Sequence, residues 1–533
     1  MKRNKWSVLP LLLMIGVTSL GVWSAGTVAV DAAAIPIIKE GDGHETVNQP
    51  GYIMGNKIPT DEETKTSGAA KANSTATKIT ANATAKADAA KSSAATKAAV
   101  TKQEAASKAE TAKSEASKSQ ASKSQTDKTS EVKSGKIPAF MMNEDTKIPQ
   151  IRILIGTRSS SFVATGTGSV SVYDENKKPM SQVTTGQAVV VGLKNKKLTV
   201  NGKTVDGDIY LKSWQGKTST PVKVDGKPYR GAIKVMTGSG GGMLIINETS
   251  LESYLYGVVP AEAVPSWHQE ALKAQAVAAR TYALYTMKQS SGKVYDVKPT
   301  TDNQVYNGQA GEYDSTNKAV DATKGMVMMY KGSPIQALFH ADGGGYTEDS
   351  VNVWGSEVPY LKGVKDYANN GDTSAWTVTL TRKAMEDKLK AAGKDVGTLK
   401  EIKLSTLRKR PIKAADRGVS GRVIEATFVG NKKSITVGGE SIMKIFGLKS
   451  TLFDFYVNAK PPTSADSFKN PKAYHTFKKA TDTVYIRGYG WGHGLGLSQW
   501  GAAAMAAKDG NKADYYKTIL NHYYTGITIE KMY

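Results

Sequence analysis

The residue in this chain best suited to proton transfer is a glutamate in apolar company. Glu262 sits in the run Val259-Pro260-Ala261-Glu262-Ala263-Val264-Pro265. A carboxylate held among such groups is disfavoured as an anion, so its pKa rises. A general acid working at neutral pH requires that shift. The competing reading is a solvated glutamate in a turn, and the local sequence does not remove it. The two prolines predict a non-helical stretch. Ser266 with Gln269 three positions later reads as a capping box, so a helix is predicted from Trp267 to about Met287. Its alanines at 271, 274, 276, 278, 279 and 283 imply close packing on several faces. Lys273 and Arg280 share one face of it, and a buried arginine needs a partner.

Further polar groups cluster in short motifs. Thr301-Asp302-Asn303-Gln304-Val305-Tyr306 follows the helix. Phe339-His340-Ala341-Asp342-Gly343-Gly344-Gly345 reads as a strand end entering a glycine loop, and Ser420-Gly421-Arg422-Val423 lies further on. Near the C-terminus, glycines fall at 488, 490, 492, 494 and 496. In an extended strand, period two would put all of them on one face. Tyr489, Trp491, His493, Leu495 and Leu497 would then form the other face, an aromatic and imidazole row able to stack on sugar rings. A tightly packed core strand is the alternative. No Gly-Lys-Ser or Gly-Lys-Thr ends the run, which argues against a phosphate loop. His340, Asp342 and Glu348 carry ligand atoms. Without a His-Glu-x-x-His pattern, and with no cysteine in the chain, neither a metal nor a cofactor is expected.

These groups need elements to position them. The 533 residues suffice for a sizeable core. From Ile151 to Asn247 short apolar strands alternate with Gly, Asn, Asp and Lys turns, Asn201-Gly202 being a hairpin signal. Between Lys362 and Val457 a helical piece, Arg382 to Ala392, mixes with strands at 423–428 and 433–437. The mixture predicts an α+β fold. The N-terminus carries Lys2, Arg3 and Lys5, then no charge from Trp6 to Val30, then Ala32-Ala33-Ala34. This is an export signal, either a cleaved leader or an anchor. The expected organisation is therefore leader or anchor 1–34, a disordered Ala/Lys/Ser/Thr-rich linker 35–147 and a folded region 148–533. The folded region divides into β-rich 151–250, core motifs 251–361, an α+β insertion 362–470 and the glycine and histidine motif 471–533. The linker lacks the apolar surface that would offset its ordering entropy. With 71 basic against 48 acidic side chains the formal charge is +23, which calls for an anionic partner. Export excludes nucleic acid. Adhesion of the Lys-rich linker to anionic wall polymers and a passive tether stand as equal readings.

The ordered set Val259-Pro260-Ala261-Glu262, the run from Ala274 to Tyr282, and Gly492-His493-Gly494 through Gln499 resembles the stage II sporulation protein D family, also called the SpoIID/LytB or amidase-enhancer domain. The resemblance spans roughly Ile151 to Tyr533. It implies an exported lytic transglycosylase that cleaves peptidoglycan glycan strands between N-acetylmuramic acid and N-acetylglucosamine, with Glu262 as the catalytic residue. Some relatives are described as activators of wall amidases. A non-catalytic, glycan-binding amidase enhancer is therefore the alternative function. Substrate-binding roles are expected for Arg280, Gln304, Tyr306, His340, Tyr489, Trp491, His493 and Gln499, converging on one cleft around Glu262, with Arg280 contacting substrate or another carboxylate more than Glu262, whose pKa it would otherwise lower.

Overall fold

The computed structural model describes residues 147–368, 375–407, 409–463 and 475–533. The leader expected over 1–34, and all but the last residue of the expected linker, lie outside them. The described part is mixed α/β and rich in strands.

The strands before residue 250 form two sheets. One runs in the order 150–158, 243–250, 232–237, 209–215, 169–173, 179–183, with 218–220 also pairing 209–215. The other runs 227–229, 222–224, 162–166, 189–194, 197–200, 203–204. Apolar side chains bury one face of each: Phe162, Val170, Val172, Val191, Leu211, Ile233 and Ile245 share one core. Asn201 and Gly202 both have positive φ, 49° and 80°, and join Val200 to Lys203 as the hairpin signal predicts.

The strand Met243–Ser250 runs straight into helix α1, Leu251–Glu262, capped by the Ser250 hydroxyl, which accepts from the Ser253 N–H at 3.2 Å. Here the expectation of a non-helical stretch is corrected. Pro260 lies inside α1, and Glu262 is its last residue. Proline removes one helix hydrogen bond, but the helix ends within a turn of it and the Ala263 N–H still reaches the Val259 carbonyl at 2.9 Å. Helix α2 spans Gln269–Gln289. Its cap is His268, whose Nδ1 accepts from the Glu270 N–H at 3.2 Å, and not Ser266. Ala271, Ala274, Val277 and Ala278 of α2 enter one core, while Ala276, Ala279, Ala283 and Met287 enter another. Small side chains let α2 approach neighbours on both flanks.

Beyond α3 (Asp314–Ala322) and α4 (Ser350–Trp354), helices α5 (Arg382–Ala391) and α6 (Gly439–Phe446) cover a fourth core built on Leu399, Phe428, Phe453, Phe455 and Ile486. The strand Thr483–Gly488 lies between 376–381 and 453–457 in one sheet, so that sheet crosses the boundary expected at 470. The short strands 339–340 and 497–498 pair in parallel, and α7 (Gln499–Asp509) and α8 (Tyr515–Tyr523) follow.

The glycine run departs from expectation. The strand stops at Gly488, and Gly490, Gly492, Gly494 and Gly496 have φ of 69°, 102°, 83° and 68°. Alternate left-handed residues make a loop, so the two-faced strand with its aromatic row does not form. The glycines also admit close approach. A Cβ on Gly494 would stand 2.2 Å from Arg422 Nε, and one on Gly496 2.2 Å from the Leu338 carbonyl oxygen.

Candidate functional site

Glu262 ends α1 only 7% exposed. Its Oε1 accepts the Val305 backbone N–H at 2.9 Å, and its Oε2 is buried without a hydrogen-bond partner among the described residues. Burial pushes its pKa up from the ordinary 4.5 to about 7, against the opposing pull of the Val305 N–H and the Gln499 amide. The carboxyl thus stands poised between its two forms near neutral pH.

The sign of the linkage follows from that rise. Below about pH 4.5 Glu262 is neutral in both folded and unfolded chains. Between about 4.5 and 7 the folded chain holds the extra proton, so stability falls as pH rises, and above that it is constant. The full rise corresponds to about 3 kcal/mol. Glu262→Gln should therefore be more stable than the parent at pH 8, and the gain should vanish at pH 4. Denaturant unfolding of both proteins across this range checks it; a gain independent of pH would show that ionisation is not its source.

Gln499, 4% exposed, is the first residue of α7 and donates to Gln275 Oε1 at 3.5 Å. It is held there by its neighbour Ser498. The Ser498 hydroxyl caps α7 by accepting from the Gly501 N–H and donates to Asp366 Oδ2 at 2.9 Å. Asp366 also accepts from the Gly343 N–H and from the Tyr523 hydroxyl at 2.7 Å, tying the glycine loop after His340 to α7 and α8.

His340 faces Ser498 in register, and its ring lies 5.5 Å from that of His493. Burial, then His493 and Arg422, hold the His340 pKa well below the ordinary range. Burial and Arg422 lower His493 to about 4. Both rings are neutral at pH 7. The Leu495 carbonyl accepts from His340 Nδ1 at 3.1 Å, which leaves the buried Nε2 as an acceptor without a partner among the described residues. His493 Nδ1 accepts from the Leu495 N–H at 3.0 Å. Arg422, 2% exposed and lowered to about 10 by burial, donates to the Gly492 carbonyl at 3.0 Å. Bonds between backbone of the two glycine loops, Asp342 N–H to Trp491 and Trp491 N–H to Asp342, close this side.

Glu262 thus meets the Val305 amide and Gln499, while Ser498, next to Gln499, pairs with His340, whose ring stands beside His493 near Arg422. Other expected site residues are placed differently. Gln304 is fully buried, accepting from the Tyr254 hydroxyl and donating to the Ala279 carbonyl. The Tyr306 hydroxyl donates to Asn247 at 2.9 Å, and its ring packs on Tyr254. Both side chains serve the core, while the backbone between them reaches Glu262. Tyr489 is buried with Leu407, Ile412 and Leu452, its hydroxyl on the Pro462 carbonyl. Trp491 is half-buried, with Lys449 Nζ 4.7 Å from its ring centroid.

Arg280 meets another carboxylate, one of the two partners expected for it, and not Glu262. It is fully buried and donates twice to Glu252, both at 2.8 Å, and to the Val320 and Met326 carbonyls. Glu252 opens α1 and Glu262 closes it, about 15 Å apart at the helical rise. A substrate contact would have to break this pairing. Sequence reasoning missed Glu252, Gln275, Asp366 and the Val305 amide. Gln275 and Val305 lie within motifs already singled out, whereas Asp366 carries no local signal.

A sequence model described as Stage II sporulation protein matches residues 239–330, which hold α1, α2 and Glu262. A second, described as a domain of unknown function, matches 356–496. Stage II sporulation protein D of Bacillus subtilis is 31% identical over 301 residues, 54% of this chain and 76% of that protein. An uncharacterized protein of Brachyspira hyodysenteriae is 35% identical over 288 residues, 54% of this chain and 68% of the relative. A Bacillus subtilis protein named amidase enhancer is 33% identical over 352 residues, 62% of this chain and 48% of that protein. The chain belongs to the stage II sporulation protein D family. Among the described residues no helix is long and apolar enough to cross a membrane.

Proposed function

We propose that this protein acts on the cell wall as a peptidoglycan lytic transglycosylase, with Glu262 as the single acid and base. The observation that carries the reading is a carboxyl so buried that its pKa is pushed up to about 7, with one oxygen free of hydrogen-bond partners among the described residues. Protonated Glu262 donates its proton to the glycosidic oxygen linking N-acetylmuramic acid to N-acetylglucosamine, and the C1–O bond breaks. The resulting carboxylate takes the proton of the C6 hydroxyl as that oxygen bonds to C1. The product is a 1,6-anhydro ring, no water is consumed, and Glu262 ends protonated as it began. One carboxyl suffices, unlike the pair that hydrolytic glycosidases use. The Val305 N–H fixes the orientation of the carboxyl, and the Gln499 amide steadies its charged form between the two transfers.

Purified glycan strands digested with the protein should give fragments ending in anhydro sugar, lighter than hydrolytic products by one water in mass spectrometry. Reducing-end products would make the protein a hydrolase instead. A second reading is favoured by the name of the amidase enhancer relative: the protein binds glycan and stimulates a separate wall amidase. No cleavage of any glycan form, together with stimulation of an amidase by Glu262→Gln equal to that of the parent, would establish it.

A further inference from the structure

The aromatic row expected of the glycine run does not form, yet two other tryptophans stand beside Glu262. Trp267 lies in the connection from α1 to α2, five residues past Glu262, and packs on Ala263, Leu272 and Ala319. Trp500 is the second residue of α7 and directly follows Gln499, whose amide acts on the Glu262 carboxyl. The two indoles meet edge against face, with ring centroids 5.0 Å apart and planes at 67°. The backbone fixes both: the Trp267 N–H donates to the Val264 carbonyl and the Trp500 N–H to the Ala341 carbonyl, each at 3.0 Å. Both rings are half-buried, and Trp500 joins none of the apolar cores among the described residues. Neither indole N–H has a hydrogen-bond partner among the described residues. The buried Trp376 differs, its indole donating to the Gly490 carbonyl at 3.0 Å. A tryptophan kept for packing finds a partner for its N–H. Here two indole donors are left open next to the proposed acid, and an edge-to-face contact leaves ring faces free for a third group.

From this placement we infer that the Trp267–Trp500 pair is a subsite for the glycan strand, in which a sugar ring next to the bond at Glu262 lies on the Trp500 indole and an indole N–H donates to a sugar hydroxyl or acetamido oxygen. The inference rests on the reading of Glu262 as acid and base. Sugar rings present apolar C–H faces that suit an aromatic plane with a polar edge. No lysine or arginine stands over either indole among the described residues, whereas Trp491 has Lys449 over its ring. Glu270, three residues past Trp267, is already paired with Lys273 at 2.7 Å. The pair is therefore built for the face of a sugar and not for an anionic group. Its position gives it a task in the reaction. A carboxyl that passes a proton to a glycosidic oxygen needs the adjoining sugar held still, since a misplacement of about 1 Å costs about 100-fold in rate.

The probe is soluble, peptide-free glycan strands, and the background is the full chain carrying Glu262→Gln. Binding is then read without cleavage, and a failure of the catalytic reading leaves this result intact. Adding Trp500→Leu should weaken binding about tenfold in titration calorimetry, while Trp500→Phe, which keeps a ring, should stay within about threefold of the background. With Glu262 in place, Trp500→Leu should raise KM by about the same tenfold and leave kcat within a few-fold. Bound glycan should also shield indole fluorescence from acrylamide, and Trp500→Phe should remove part of that shielding. Equal binding by Trp500→Leu, at an unfolding midpoint equal to the parent's, overturns the inference. Loss of binding that Trp500→Phe does not recover also overturns it, since Trp500 would then be a structural clamp between α7 and the α1–α2 connection. Where Trp500→Leu fails to fold, the shielding decides: full shielding retained by Trp500→Phe overturns the inference.

Discussion

Glu262→Gln is expected to lower the rate of glycan cleavage by about 10³-fold, within the 10²–10⁴ that a positioned general acid contributes. The substitution keeps the size of the side chain and an oxygen able to accept the Val305 N–H at Oε1. It removes only the proton that is given and taken. The change at Oε2 is mild, because that atom has no hydrogen-bond partner among the described residues to lose. The fold should therefore survive, and the loss should appear in kcat with glycan binding retained. The parent should also show a falling limb above pH 7 in kcat/KM, about tenfold per unit, as free Glu262 loses its proton. Digestion of glycan strands by parent and variant at pH 5, 6, 7, 8 and 9 measures both effects. Cleavage by the variant within a few-fold of the parent would remove Glu262 from the chemistry.

Much of this site was legible in the sequence because its signals are local. A glutamate set among valine, alanine and proline implies desolvation, and its pKa rises for that reason. The alternation of apolar and turn residues before 250 marked the strands, since burial on one face has period two. What was not legible depends on partners distant in sequence. Pro260 suggested an extended stretch, yet α1 continues to Glu262 because its Leu251, Leu255, Val258 and Val259 side chains all enter the core shared with α2. Tertiary packing outweighed a local penalty. The glycine run had the period of a strand, but alternate positive φ produces the same spacing, and only the backbone distinguishes them. Asp366 joins Gly343, Ser498 and Tyr523 across separations that no local pattern reveals.

Arg280 is where the structure most changes what an experiment should find. A substrate-binding arginine, once removed, would cost affinity and leave stability intact. The structure instead buries its guanidinium fully, with Glu252 taking two of its hydrogen bonds and the Tyr533 hydroxyl donating to the same carboxylate at 2.5 Å. Arg280→Met should then leave Glu252 buried and uncompensated, and destabilise the fold by about 3–5 kcal/mol. Removing both charges tests the cause. In the double variant Arg280→Met with Glu252→Leu no charge is stranded, and most of the loss should return. What remains is the loss of partners by the Tyr533 hydroxyl, the Gly325 N–H and the Val320 and Met326 carbonyls. Denaturant unfolding of the two single variants and the double variant gives the coupling between the residues directly. Glu262 lies at the other end of α1, so the double variant, once folded, should keep the parent's KM for glycan and the same fall in activity above pH 7. A folded double variant with KM raised tenfold or more would return Arg280 to the substrate.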